Sequence, residues 1–77
     1  MKTRVKELRQ AAEMTQLQLA KRVHVSSRTI ISIERGQYNP SLMLAYRIAQ
    51  VFGVSVEDLC CLEENKQEEV KQYEILR

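Results

Sequence analysis

The stretch MTQLQLAKRVHVSSRTIISIERG, Met14 to Gly36, decides the fold. It opens on a helix signal: Thr15 stands as an N-cap and Gln18, three residues on, completes a capping box. Met14 before the cap and Leu19 after it form a hydrophobic staple. The same grammar returns at once with Val25, Ser26 and Ile30. Gly36 then supplies the left-handed residue that closes a helix. Two short helices are therefore predicted over 16–23 and 27–35, with only His24, Val25 and Ser26 between them. Helices joined so tightly must cross steeply, and Ala20 is small enough to sit where they approach. The pair reads as a helix-turn-helix unit.

The second helix of the pair has two unlike faces. Ile30 and Ile33 give it one apolar stripe. Ser27, Arg28, Ile31, Ser32 and Arg35, at helical spacing, gather on the other. Hydroxyls, two guanidinium groups and a bare isoleucine make an odd solvent face for so short a helix.

Outward from this unit, Val5, Leu8 and Ala12 mark a first helix over 3–13. Asn39-Pro40-Ser41 makes a turn and opens a fourth helix with a stripe of Leu42, Ala45, Ile48, Ala49 and Phe52. Gly53 ends it. A third staple, Val54-Ser55 with Asp58 and Leu59, starts a fifth helix over 56–62. The expectation is an all-α fold, a compact five-helix domain over 1–62 whose helices 2 and 3 form the helix-turn-helix. Residues 63–77 are a separate, acidic zone in which Val70, Tyr73, Ile75 and Leu76 return after a polar run. A frayed end, a helix packed on a partner and a short edge strand all remain open for it.

Composition narrows the function classes. Seventy-seven residues with two glycines and one proline make one small helical domain. No apolar run approaches the roughly 20 residues of a membrane span. The opening MKTRVKELRQ lacks the apolar centre of a signal peptide, so a cytoplasmic protein is expected. The net charge of +2 conceals an asymmetry. Residues 1–62 carry nine Lys and Arg against five Asp and Glu, while residues 63–77 carry three against five. A basic body with an acidic end is compatible with a polyanion partner. Cys60 and Cys61 are neighbours and cannot staple the fold; at least one is expected to pack as a small hydrophobe. His24 is the sole histidine, so neither a metal site nor any cofactor is expected. Nothing supplies a nucleophile–base pair or a phosphate loop, which argues against an enzyme.

The motifs "MTQLQLAKRVHVS", "SSRTIISIERG" and "YNPSLMLAYRIAQVFGVSVEDL" resemble the phage Cro/repressor-type (Xre) helix-turn-helix family of transcriptional regulators. The resemblance runs from about Val5 to Leu62. It implies a third helix lying in the DNA major groove, with its inner stripe holding the domain and its outer stripe facing base edges. Ser27, Arg28 and Ser32 match base-reading positions. Arginine can fork onto guanine O6 and N7, and serine can donate or accept. Ile31 either touches a thymine methyl or is a single exposed hydrophobe. Gln16 and Arg35 match phosphate contacts, and Tyr38 and Asn39 on the following loop are further candidates. Arg9 and Glu34 match an ion pair that bridges the first and third helices in some members. His24 departs from the family, which has glycine in the turn.

Function is expected to be that of a homodimeric repressor on a palindromic operator, because one third helix reads only about a half-site. Two other readings compete. One is an antitoxin that holds a toxin through the tail and also autoregulates. The other is a restriction-modification controller protein. The expected partners are double-stranded DNA and a second copy of the chain, with a further protein possible through the tail.

Overall fold

The computed structural model describes the backbone of residues 1–76 and the side chains of residues 1–73. Six helices follow in order: α1 (Val5–Ala11), α2 (Gln16–Arg22), α3 (Ser27–Glu34), α4 (Leu42–Phe52), α5 (Val56–Leu59) and α6 (Leu62–Leu76). Among the described residues there is no strand.

Serine and threonine start four of these helices. Thr15 and Gln18 form the full capping box: the Gln18 amide donates to Thr15 Oγ1 at 3.0 Å, and the Thr15 amide donates to Gln18 Oε1 at 2.9 Å. Ser26, Ser41 and Ser55 each accept from the backbone three residues on, at 3.3, 3.1 and 3.0 Å. Each bond satisfies a donor that the first turn of a helix leaves without a partner.

The ends follow one device as well. Glu13, His24, Gly36 and Gly53 are all left-handed, with φ of 55°, 62°, 75° and 67°. After each, the next amide reaches back five residues: Met14 to Arg9, Val25 to Ala20, Gln37 to Ser32 and Val54 to Ala49. These are Schellman ends. Glycine tolerates that geometry and a residue with a Cβ is strained by it. Opposite substitutions should therefore have opposite signs. Gly53→Ala, whose Cβ would meet nothing within 4 Å, should lose about 1 kcal/mol from backbone strain alone. His24→Gly should gain up to about 1 kcal/mol, since histidine visits this region more readily than most. Thermal melts of both variants check the pair.

The core is built from Val5 of α1, Leu19, Ala20 and Val23 of α2, Ile30 and Ile33 of α3, Leu44, Ala45, Ile48 and Ala49 of α4, and Leu59 and Cys60. Ala20 is fully covered where α2 meets α3, as the short turn demands. Met14, Val25 and Val54, the residues that precede the caps, pack against this core.

Three expectations need correction. Leu42, placed in the α4 stripe, is 74 % exposed, and Leu44 takes its place. Leu42 is the first residue of α4 and lies about a quarter turn from the centre of the stripe. Ala12, assigned to the first helical stripe, is an exposed cap residue after α1. The third concerns the count of helices and the acidic end, for which a helix was one of three open readings. That end forms α6, the longest helix of the chain, and helix count rises from five to six.

Asn65 explains how so polar a helix is held. Its Nδ2 donates to the carbonyls of Lys2 (2.9 Å), Cys60 (2.7 Å) and Cys61 (3.1 Å), and its Oδ1 accepts from the Lys2 amide at 3.0 Å. Cys61, at φ 49°, makes the bend between α5 and α6. Leu62, Val70 and Tyr73 remain on the surface; the side chains of Ile75 and Leu76 lie outside the described residues. Both cysteines are free and buried, and burial pushes both thiols up. Thiols held protonated in this way are poor nucleophiles.

Candidate nucleic-acid interface

α3 is clamped from beneath. Ile30 and Ile33 are fully buried, so the helix cannot roll about its axis without opening the core. Arg47 of α4 braces the turn beside it by donating to the Val23 carbonyl at 3.3 Å. Ser26, besides capping α3, lies 3.1 Å from the Thr29 hydroxyl.

A second clamp holds the level of α3 against α1 and α2. Arg9 Nε donates to Glu34 Oε2 at 2.7 Å and its terminal nitrogen to Glu34 Oε1 at 3.1 Å, a fork-to-fork pair. The other Arg9 nitrogen donates to the Met14 carbonyl at 2.8 Å. The Arg9 side chain is 12 % exposed and that of Glu34 only 4 %. The hydrogen bonds to Glu34 raise the pKa of Arg9 further above its ordinary value, against the opposing effect of burial. Gln16, the first residue of α2, adds a third bond to the same carboxylate, 3.1 Å from Nε2 to Glu34 Oε1. A carboxylate only accepts, so the amide must turn its nitrogen inward, and one Nε2 hydrogen stays free.

With the underside fixed, the outer face of α3 presents the residues singled out in the sequence. Arg28 and Arg35 are exposed; Ser27, Ile31 and Ser32 are half-buried on the same helix. Neither arginine joins any ion pair among the described residues. Gln16, Ile31 and Arg35 come together, with Glu34 and Lys6 of α1, around a cleft of about 240 Å³. Tyr38 is exposed on the loop after α3, and Asn39 lies beside Met1 and the flank of α6. Sequence reasoning thus named the Arg9–Glu34 pair and noted His24, now seen left-handed, where the family has glycine. It missed Lys6 at the cleft, the Gln16 bond to Glu34 and the Arg47 brace. It missed, too, the exposed Leu42, Met43 and Tyr46 on α4. The Lys6 signal was present as a basic residue one turn before Arg9, on a helix read only for its apolar stripe.

A family model described as helix-turn-helix matches residues 5–59, from the first residue of α1 to the last of α5. The chain belongs to the Cro/repressor-type helix-turn-helix family of transcriptional regulators. It is similar to an uncharacterized HTH-type transcriptional regulator of Archaeoglobus fulgidus, 52 % identical over 66 residues that cover 86 % of this chain and 93 % of that one. A counterpart in Methanocaldococcus jannaschii is 47 % identical over 66 residues, covering 86 % of this chain and 100 % of the relative. The immunity repressor protein of Bacillus phage phi105 is 34 % identical over 70 residues, which are 91 % of this chain and 49 % of that protein. This regulator therefore spans about half the length of the phage protein. Its fold is also that of the clp gene regulator ClgR from Corynebacterium glutamicum, with a TM-score of 0.66 at 21 % identity, covering 95 % and 85 % of the two chains. The match to ClgR extends beyond the five helices into the acidic end.

As a helix-turn-helix regulator, the protein uses α2 and α3 as its DNA-binding unit. Among the described residues, no three His, Cys, Asp or Glu groups gather where a metal ion could be held, and no helix is long and apolar enough to cross a membrane.

Proposed function

We propose that this regulator is a homodimeric, cytoplasmic repressor that inserts α3 into the major groove of a palindromic operator. It acts by occupancy and not by catalysis. The observation that carries the reading is the two-faced α3: Ile30 and Ile33 are fully buried beneath it while Arg28 stands free above. Ser27, Arg28, Ile31 and Ser32 take the base edges, and Gln16, Arg35, Tyr38 and Asn39 take phosphates. The phage immunity repressor among the relatives supports repression as the output. A twofold dimer supplies the specificity that a single half-site lacks.

Selection of bound fragments from a random DNA pool tests this. The expected product is an inverted repeat with half-sites about one helical turn apart. Recovery of no shared sequence would sink the reading.

The dimer surface is assigned to α6, where Leu62, Val70 and Tyr73 are exposed together on one side of the helix. A chain shortened after Lys66 keeps the Asn65 bonds and loses Val70 and Tyr73. It should keep its circular dichroism spectrum, sediment as a lighter species, and bind operator more weakly. Undiminished self-association would remove α6 from the dimer. The same exposed residues favour the antitoxin reading if a second small protein co-purifies with the full chain and is lost on this truncation.

A further inference from the structure

The cleft shared by α1, α2 and α3 brings Lys6 beside two of the phosphate contacts already named, Gln16 and Arg35. Glu34 forms its floor, but both oxygens of that carboxylate are taken by Arg9, and one also by Gln16. Its charge is therefore compensated from within the fold. Lys6 lines the cleft from α1 and Arg35 from the end of α3, and neither is among the ion pairs of the described residues. Gln16 lines it with its remaining amide hydrogen, and Ile31 closes one wall. Two unpaired cations of different shape thus flank a recess of about 240 Å³, against a neutralised acid. The recess is roomy enough for the exposed oxygens of a phosphate group and too open to enclose a whole nucleotide.

We infer that this cleft is a seat for one DNA backbone phosphate, gripped by Lys6 from one side and Arg35 from the other, with Gln16 orienting it. Lys6 becomes a DNA-binding residue of the first helix, outside the helix-turn-helix itself. The inference rests on the DNA-binding reading above and adds the third element that fixes α3 at its depth in the groove. Charge-assisted bonds from a lysine and an arginine suit a phosphate oxygen pair better than a neutral ligand. The Arg9–Glu34 pair gains a second purpose here: without Arg9, the acid on the floor would repel the anion.

The test is the salt dependence of binding to a labelled random-sequence duplex, measured by anisotropy with the full chain. Each phosphate neutralised by a cation adds about 0.9 to the slope of log affinity against log salt. Lys6→Gln should lower that slope, by up to about 0.9 for each subunit bound, and weaken binding several-fold at low salt. Lys6→Arg should restore both. Since Lys6 joins no ion pair among the described residues, the melting temperature of Lys6→Gln should match the parent. A parental slope in Lys6→Gln overturns the seat while leaving the DNA-binding reading intact. Absence of duplex binding by the parent overturns both. Titration with inorganic phosphate separates the source of the anion. If the amide resonances of Ile31 and Arg35 saturate at millimolar phosphate, the cleft serves a free anion and the backbone assignment fails; a linear, unsaturated drift supports it.

Discussion

Arg9→Ala is expected to be the most damaging single substitution outside the apolar core. It leaves Glu34, only 4 % exposed, with one amide partner in place of a forked guanidinium. Breaking a shielded pair by deleting one partner costs about 3–5 kcal/mol; the lower end applies, because Arg9 is still wetted at its edge. In a domain of this size a loss of about 3 kcal/mol lowers the melting temperature by on the order of 12–24 °C. Glu34→Ala should cost less. It frees Gln16 and strands Arg9, which keeps the Met14 carbonyl and can turn toward water. The double substitution should lose less than the two single losses added, by 1 kcal/mol or more as an order-of-magnitude figure for contacting residues. Strict additivity in melts of all four proteins would show that the pair contributes nothing as a pair.

Arg28→Ala and Gln16→Ala should fail in different ways. Arg28 stands on the exposed face of α3 with its fork free, and removing a base-reading arginine costs about 1–3 kcal/mol per half-site. The loss should fall on the operator and spare random duplex, flattening the preference at one base pair. Gln16 is uncharged, so Gln16→Ala should weaken operator and random duplex together, with little change of salt slope. The variant also removes a bond to Glu34, so a small loss of stability should accompany it. An unchanged ratio of operator to random affinity in Arg28→Ala would shift the reading role to Ser27, Ile31 and Ser32.

The legible parts of this regulator are those governed by local chemistry. Caps at Thr15, Ser26 and Ser55 declare themselves because a small oxygen-bearing residue sits before an apolar period and nothing distant is needed to satisfy it. His24, at φ 62°, occupies the turn position where the resemblance implies glycine. Leu42 was misread because periodicity gives the stripe but not where a helix begins relative to its neighbours. α6 was hidden for a different reason. Its residues are polar nearly all round, and its docking depends on Asn65 reaching the carbonyl of Lys2, 63 residues away in the chain. No pattern within the segment encodes that partner. The cleft was hidden likewise, since Lys6, Gln16 and Arg35 meet only once three helices are packed.

Methylation interference on the selected operator tests the central claim most directly. Dimethyl sulfate marks guanine N7 in the major groove, an acceptor to which an arginine fork would donate. The account predicts interference at guanines in both half-sites, with Arg28→Ala losing it at one guanine of each half-site and retaining it at the others. Interference confined to minor-groove adenine N3, or a pattern that Arg28→Ala, Ser27→Ala and Ser32→Ala all leave intact, would contradict the placement of α3 in the major groove.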